Sequence, residues 1–221
     1  MSFSPASKVR LTSRDLARFP GNTLFERIAR SVCAAGCLPR KELYEAWEMA
    51  RRVRRVLRGG RIVDVAGGHG LLAHILLILD DTSPSACVVD PAVPPSSARI
   101  HAALVDAWPR LDGRVAYRAL AFDGAGLDPG DVVVSCHACG ALTDTVLDLA
   151  AGAGARVAVL PCCHDAVMCD AGVLQGWLDS ALAIDVLRAT RLSARGYRVW
   201  TQAIPEAITP KNRLLIGEPL R

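Results

Sequence analysis

The sequence predicts an α/β fold: a doubly wound, mostly parallel seven-stranded sheet with a C-terminal antiparallel strand, preceded by N-terminal helices. Three observations predict it. Short apolar, β-branched runs alternate with helix-length segments from Arg61 to Leu160, the rhythm of right-handed βαβ units. A glycine cluster, Gly67-Gly68-His69-Gly70, joins the first of these runs directly to an apolar helix. The last two runs have no helix between them. A connection that short suits antiparallel neighbours, because a parallel crossover takes about a dozen residues or more.

The elements follow in order. Residues 1–22 show no clear period, and Phe19-Pro20-Gly21-Asn22 reads as a turn. Thr23 is the expected N-cap of a helix reaching Ala35, with Leu24, Ile28 and Val32 at helical spacing. Pro39 limits that helix, and a second runs from Arg40 to Leu57 with Leu43, Trp47, Ala50, Val53 and Leu57 as its apolar stripe. The seven strands are expected at residues 61–65, 86–90, 114–122, 131–136, 156–160, 197–204 and 213–217. Further helices are expected at 71–79, 96–108, after Gly140, and over 172–190. Two regions result: a basic helical extension, 1–58, and the sheet domain, 59–221.

The bulk properties set limits. With 221 residues, 51% of them hydrophobic, the chain can bury one sizeable core. Mean hydropathy is +0.26, yet no apolar run approaches the roughly 20 residues of a membrane span. The longest, Leu71 to Leu79, is interrupted by His74 and reads as a buried helix. Met1-Ser2-Phe3-Ser4-Pro5 lacks the basic-then-apolar pattern of a secretory signal. A soluble, cytoplasmic protein with no membrane association and no obligate protein partner is expected, its eight cysteines reduced. Charge is uneven. Residues 1–61 carry 14 basic and five acidic side chains, and the remainder carry 12 and 17. Such a basic head suggests an anionic partner, nucleic acid first, although a solvated helix face explains it equally well. Arg51, Arg52, Arg54, Arg55 and Arg58 crowd the end of the second helix, where cations suit the negative end of the dipole. Five in eight residues is more than the dipole requires, so Arg51, Arg54 and Arg55 are candidates for contact with RNA phosphates.

A strand, a glycine turn and a helix present free backbone N–H groups to a nucleotide-like ligand, though the same turn also serves packing alone. Asp64-Val65-Ala66-Gly67-Gly68-His69-Gly70 resembles the acidic-x-Gly-x-Gly-x-Gly signature of Rossmann-like class I S-adenosylmethionine-dependent methyltransferases, with Ala66 at the first glycine and Gly68 and Gly70 at the others. Asp90 ends the second strand, where the superfamily binds the cofactor ribose, and Asp123 matches the acid near the adenine. Cys136-His137-Ala138-Cys139-Gly140-Ala141-Leu142-Thr143-Asp144, paired with Leu160-Pro161-Cys162-Cys163-His164, is similar to a narrower group. That group includes the methyltransferase domain of the glutathione S-transferase C-terminal-domain-containing protein and, more distantly, the tRNA acceptor-stem 2′-O-methyltransferases. The resemblance covers about residues 40–217. It implies S-adenosyl-L-methionine as cofactor, and RNA (tRNA or rRNA) as substrate class in its best-understood branch.

The expected cofactor residues are Asp64, Ala66, Gly67, Gly68, Gly70, Asp90, Asp123, Ser135 and Cys136; Pro161, Cys162 and Cys163 are expected on the substrate side. If the acceptor is a hydroxyl, His137 or His164 is the candidate base. A protein or small-molecule acceptor is the alternative within this class. His69 and His74 have no carboxylate partner in register, so no metal is expected there. The cysteines raise a different class: Cys136, Cys139, Cys162 and Cys163 could converge on a metal, or Cys136-x-x-Cys139 could act as a redox pair. Packing or pocket lining by small thiols, the commonest role of a free cysteine, is the expected role, and no metal is expected.

Overall fold

The computed structural model describes residues 3–165 and 167–220; Met1, Ser2 and Arg221, at the ends of the two expected regions, lie outside them. A short 3₁₀ turn, Ser13–Arg18, precedes helices α1 (Leu24–Ala35) and α2 (Arg40–Val56). Then follow β1 (Ile62–Val65), α3 (Leu71–Leu79), β2 (Ala86–Val89), α4 (Ser96–Ala107), β3 (Val115–Arg118), β4 (Val132–Ser135), α5 (Ala141–Ala153), β5 (Arg156–Val159), α6 (Ser180–Ala194), β6 (Tyr197–Ala203) and β7 (Arg213–Pro219). The strands form one sheet in the order β3-β2-β1-β4-β5-β7-β6, in which β7 runs opposite to the other six. The expected seven-stranded sheet is present. Among the described residues, no helix is long and apolar enough to cross a membrane.

Alternation along the strands splits the core into two layers. Ile62, Val88, Val132, Val134 and Ala158 face α1 to α4, while Val63, Val65, Val89, Val133 and Val157 face α5 and α6. Ile28, Val32, Leu43 and Val53 of the N-terminal helices join the first layer, so the basic extension is packed into the same core as the sheet. Thr23 caps α1 as expected. Its hydroxyl accepts from the Glu26 N–H, and the Glu26 carboxylate accepts in return from the Thr23 and Gly21 N–H groups.

Two expected elements differ. The third strand stops at Arg118 rather than Phe122, because its only neighbour ends where Val89 pairs with Arg118. Residues Phe122–Ala125, including Asp123, form a 3₁₀ turn instead. The helix expected over 172–190 is broken: a 3₁₀ turn at Gly172–Gly176 ends at Trp177, and α6 restarts behind Asp179, whose carboxylate accepts from the Leu182 N–H.

Candidate functional site

Strand order reverses between β1 and β4, and the carboxyl edge of an open sheet at such a switch point is where ligands bind. A cavity of about 200 Å³ lies there. Its walls include Asp64, Ala66, Gly67, Gly68, Cys136 and His137, six residues read from sequence as cofactor or catalytic residues. Glu42 and Ala46 of α2, His69, Leu71 and Leu72 complete it.

The turn after β1 is closed by three backbone-directed bonds. Ala66 N–H donates to the Val89 carbonyl at 2.9 Å, Gly70 N–H to the Gly67 carbonyl at 2.8 Å, and Gly68 N–H to Asp90 Oδ2 at 3.1 Å. A Cβ on Gly67 would stand 2.7 Å from Asp64 Cγ and 2.9 Å from the Asp64 carbonyl oxygen, so only glycine fits. Gly70, buried beneath the turn, is left-handed (φ 71°) and lies against Val88 and Tyr117. Ala66 occupies the first glycine position of the motif, and it too is left-handed, with φ 55°. The turn therefore keeps its shape, and the alanine carries the strain. Ala66→Gly is expected to raise stability by about 0.5–1 kcal/mol, relief of a left-handed alanine partly offset by the freer unfolded chain, seen as a higher urea midpoint at unchanged slope.

Asp64 is 1% exposed. Its Oδ2 accepts from the Ala73 N–H at 3.3 Å, while Oδ1 is buried without a partner. Burial, with Asp90 nearby, pushes its pKa up to about 7 against the pull of the Ala73 bond. Ser135 is fully buried at the end of β4, and its Oγ also has no partner. Burial drives the Cys136 thiol well up, so it is protonated. His69 is held between Ser96 Oγ at 2.8 Å and Glu42 at 3.6 Å, and burial lowers its pKa. His137 stands exposed at the cavity mouth. His74 turns into the core, bonded to the Gly70 carbonyl and to His101, and does not meet His69 at a common point.

Other expected site residues are not among those lining the cavity. Asp90, half-buried at the end of β2, accepts from the Gly68 and Ala92 N–H groups and is not in the cavity wall. Asp123 is exposed on its 3₁₀ turn, away from the wall. His164 is not in the cavity wall; its Nε2 lies 2.8 Å from both Asp185 oxygens and its buried Nδ1 is unpartnered. Asp185 is also held by Arg213 at 2.6 Å and Arg188 at 3.3 Å, and Arg188 reaches Asp144 and the Gly140 carbonyl. Burial would raise the Asp185 carboxyl, but His164 and Arg213 outweigh it and bring its pKa below the usual range. This network fixes the loops after β4 and β5 to each other. Pro161 lines a separate hollow of about 480 Å³ against α6 and β7. That hollow is larger and is lined by Asp185, Arg188 and Arg213 of this network, while the glycine turn, Asp64, Cys136 and His137 line the smaller one.

Within the arginine cluster Arg54 is internal, Arg51 and Arg52 are half-buried, and Arg55 and Arg58 are exposed. Arg54 is 3% exposed, donating to the Leu76 and Leu57 carbonyls and to Ser83 Oγ, with Asp80 at 3.2 Å. It is unavailable to a phosphate, which corrects its assignment. Its position, four residues after Ala50 and seven after Trp47, is on the apolar stripe, a signal present in the sequence. Arg51 and Arg52 both pair with Glu48, leaving Arg55 exposed on this helix. Glu42 and Ala46 went unnoticed in the sequence because nothing but the docking of α2 brings them to the cavity.

The thiols also divide. Cys136 sits in the cavity wall, while the Sγ atoms of Cys139, Cys162 and Cys163 lie within 4.8 Å of one another. Of the four thiols in the alternative metal set, three lie together and Cys136 does not join them.

No protein-family model matches the chain, and no curated protein sequence does. Solved structures resemble it at low identity. The S-adenosylmethionine-dependent methyltransferase SibL aligns at TM-score 0.54 and 21% identity, covering 93% of this chain and 65% of that one. The mitomycin 7-O-methyltransferase MmcR aligns at 0.52 and 18%, covering 95% and 64%. The B. subtilis tRNA methyltransferase TrmK aligns at 0.51 and 13%, covering 78% and 65%. The chain spans about two thirds of the length of each of these proteins. Strand order, the glycine turn at the switch point and these alignments together give the chain the Rossmann-like fold of class I methyltransferases.

Proposed function

We propose that the chain is an S-adenosyl-L-methionine-dependent methyltransferase whose cofactor binds in the cavity between the ends of β1 and β4. The observation that carries this reading is Asp64: a buried carboxylate in the cavity wall with one oxygen unpartnered, beside a turn that admits no side chain at Gly67. A buried carboxylate of that kind calls for a cation or donor from a ligand, and the ammonium of the cofactor's amino-acid end supplies both. Gly67 and Gly68 leave backbone open to it, and Asp90, with lone pairs beyond the two N–H groups it already accepts, suits the ribose hydroxyls.

When bound, the cofactor supplies an electrophilic methyl group. The chain's own part is to orient an acceptor toward the cavity mouth, and positioning can contribute up to about 7–11 kcal/mol. His137, exposed at that mouth, is the residue able to take a proton from an acceptor hydroxyl at Nδ1 or Nε2. His164, bound to Asp185, acts as a positioning residue for the β5 loop.

RNA, tRNA or rRNA, is the acceptor class we favour, and the narrower Cys/His resemblance supports it. The basic groups that support it are the exposed Lys8, Arg10 and Arg14 of the N-terminal segment and, separately, Arg55 at the other end of α2, in place of Arg51 and Arg54. Incubation with methyl-labelled cofactor is expected to label RNA. RNA affinity is expected to fall steeply with salt, and to fall severalfold when Lys8, Arg10 and Arg14 become glutamine, with a shallower salt slope. Label transferred to protein or a small molecule, with no salt-dependent RNA binding, would replace RNA as acceptor.

A further inference from the structure

Three of the eight cysteines stand apart from the rest. Cys33, Cys37, Cys87, Cys136 and Cys169 are buried, the usual situation of a free thiol. Cys139 and Cys163 are exposed and Cys162 is half-buried, so every cysteine that is not buried belongs to one cluster. Exposed thiols are oxidation liabilities, and packing does not account for gathering them.

The sheet brings them together. β4 and β5 are parallel neighbours with Ser135 opposite Val159, so Cys139 and Cys162 leave the same edge of the sheet a few residues later. The Gly140 N–H donates to the Cys163 carbonyl at 3.3 Å, and the Arg188 bridge to Gly140 and Asp144 braces the same loop. Cys139 Sγ lies 2.7 Å from Cys162 Sγ, which is 3.8 Å from Cys163 Sγ.

We infer that Cys139, Cys162 and Cys163 form a three-thiolate zinc site with its fourth position open to solvent. Zinc–sulfur bonds of about 2.3 Å in tetrahedral geometry separate two sulfurs by about 3.8 Å. The Cys162–Cys163 pair already has that spacing, and Cys139, on an exposed loop, opens from Cys162 by about 1 Å to match it. Each thiol gives its proton to solvent as its sulfur–zinc bond forms, and no electron changes hands. Three protein ligands and exposure on one side are what an open, as opposed to a closed structural, zinc site has. The site is distinct from the cavity that contains Cys136, and the inference stands whether or not adenosylmethionine binds there.

The test uses the full chain, reduced and stripped of metal by a chelator, titrated with cobalt(II) as an optical stand-in and then with zinc. One equivalent of cobalt is expected to give an intense thiolate-to-metal charge-transfer band that one equivalent of zinc abolishes. Cys139→Ser and Cys163→Ser, both at exposed positions, are expected to weaken zinc binding at least about a hundredfold, while Cys37→Ser leaves it unchanged. Absence of the band, or a band that survives either cluster substitution, overturns the inference. So does a Cys139–Cys162 disulfide in protein purified without reductant, with no metal uptake after reduction.

Discussion

Arg54→Met is expected to lower the free energy of unfolding by about 3–5 kcal/mol, while Arg55→Gln one residue on changes it by less than about 0.5 kcal/mol. The guanidinium is buried deeply enough that desolvation brings its pKa down to about 10, yet it remains charged at neutral pH. It holds the Leu76 carbonyl of α3, the Leu57 carbonyl at the end of α2 and Ser83 Oγ, and lies 3.2 Å from Asp80. Methionine fills much of the volume but leaves those acceptors and the buried carboxylate without this partner. Urea denaturation of both variants checks it. Equal and small effects would return Arg54 to the surface and to the set of phosphate ligands.

Asp64→Asn is expected to stabilise the free protein at pH 8 and to change it little at pH 4. The folded-state pKa of Asp64, about 7, lies above its value in an unfolded chain. Between about pH 4 and pH 7 the folded chain keeps a proton that the unfolded chain has lost, so stability falls as pH rises through that window. Above it, a cost on the order of 4 kcal/mol persists, which asparagine does not carry. A difference in stability between the two proteins that does not vary with pH would contradict this account. The native aspartate is then a residue kept at a cost to the free fold, as a ligand-binding group is.

Much of the architecture was legible because strand burial leaves a strong pattern. Val63, Val133 and Val157 on one face and Ile62, Val132 and Ala158 on the other make continuous apolar runs, which is how doubly covered parallel strands read. The end of β3 was not legible: Ala119 to Phe122 look strand-like, but pairing stops where β2 stops. At the site, Gly67, Gly68, Cys136 and His137 could be read because local motif and strand order together bring them to one edge. Glu42 could not, since nothing local in α2 records what it docks against. The separation of Arg54 from Arg55 follows from helical period, and a charge run read as one patch concealed it. His164 and Asp185 are 21 residues apart, and their pairing depends on how α6 lies on the sheet.

Calorimetric titration of the folded chain with S-adenosylhomocysteine tests the central claim most directly. The account predicts one binding site per chain, weakened about tenfold or more by Asp90→Ala, with proton release from Asp64 near pH 7 as its carboxylate meets the ligand's ammonium. Absence of binding to the folded, wild-type chain would contradict it.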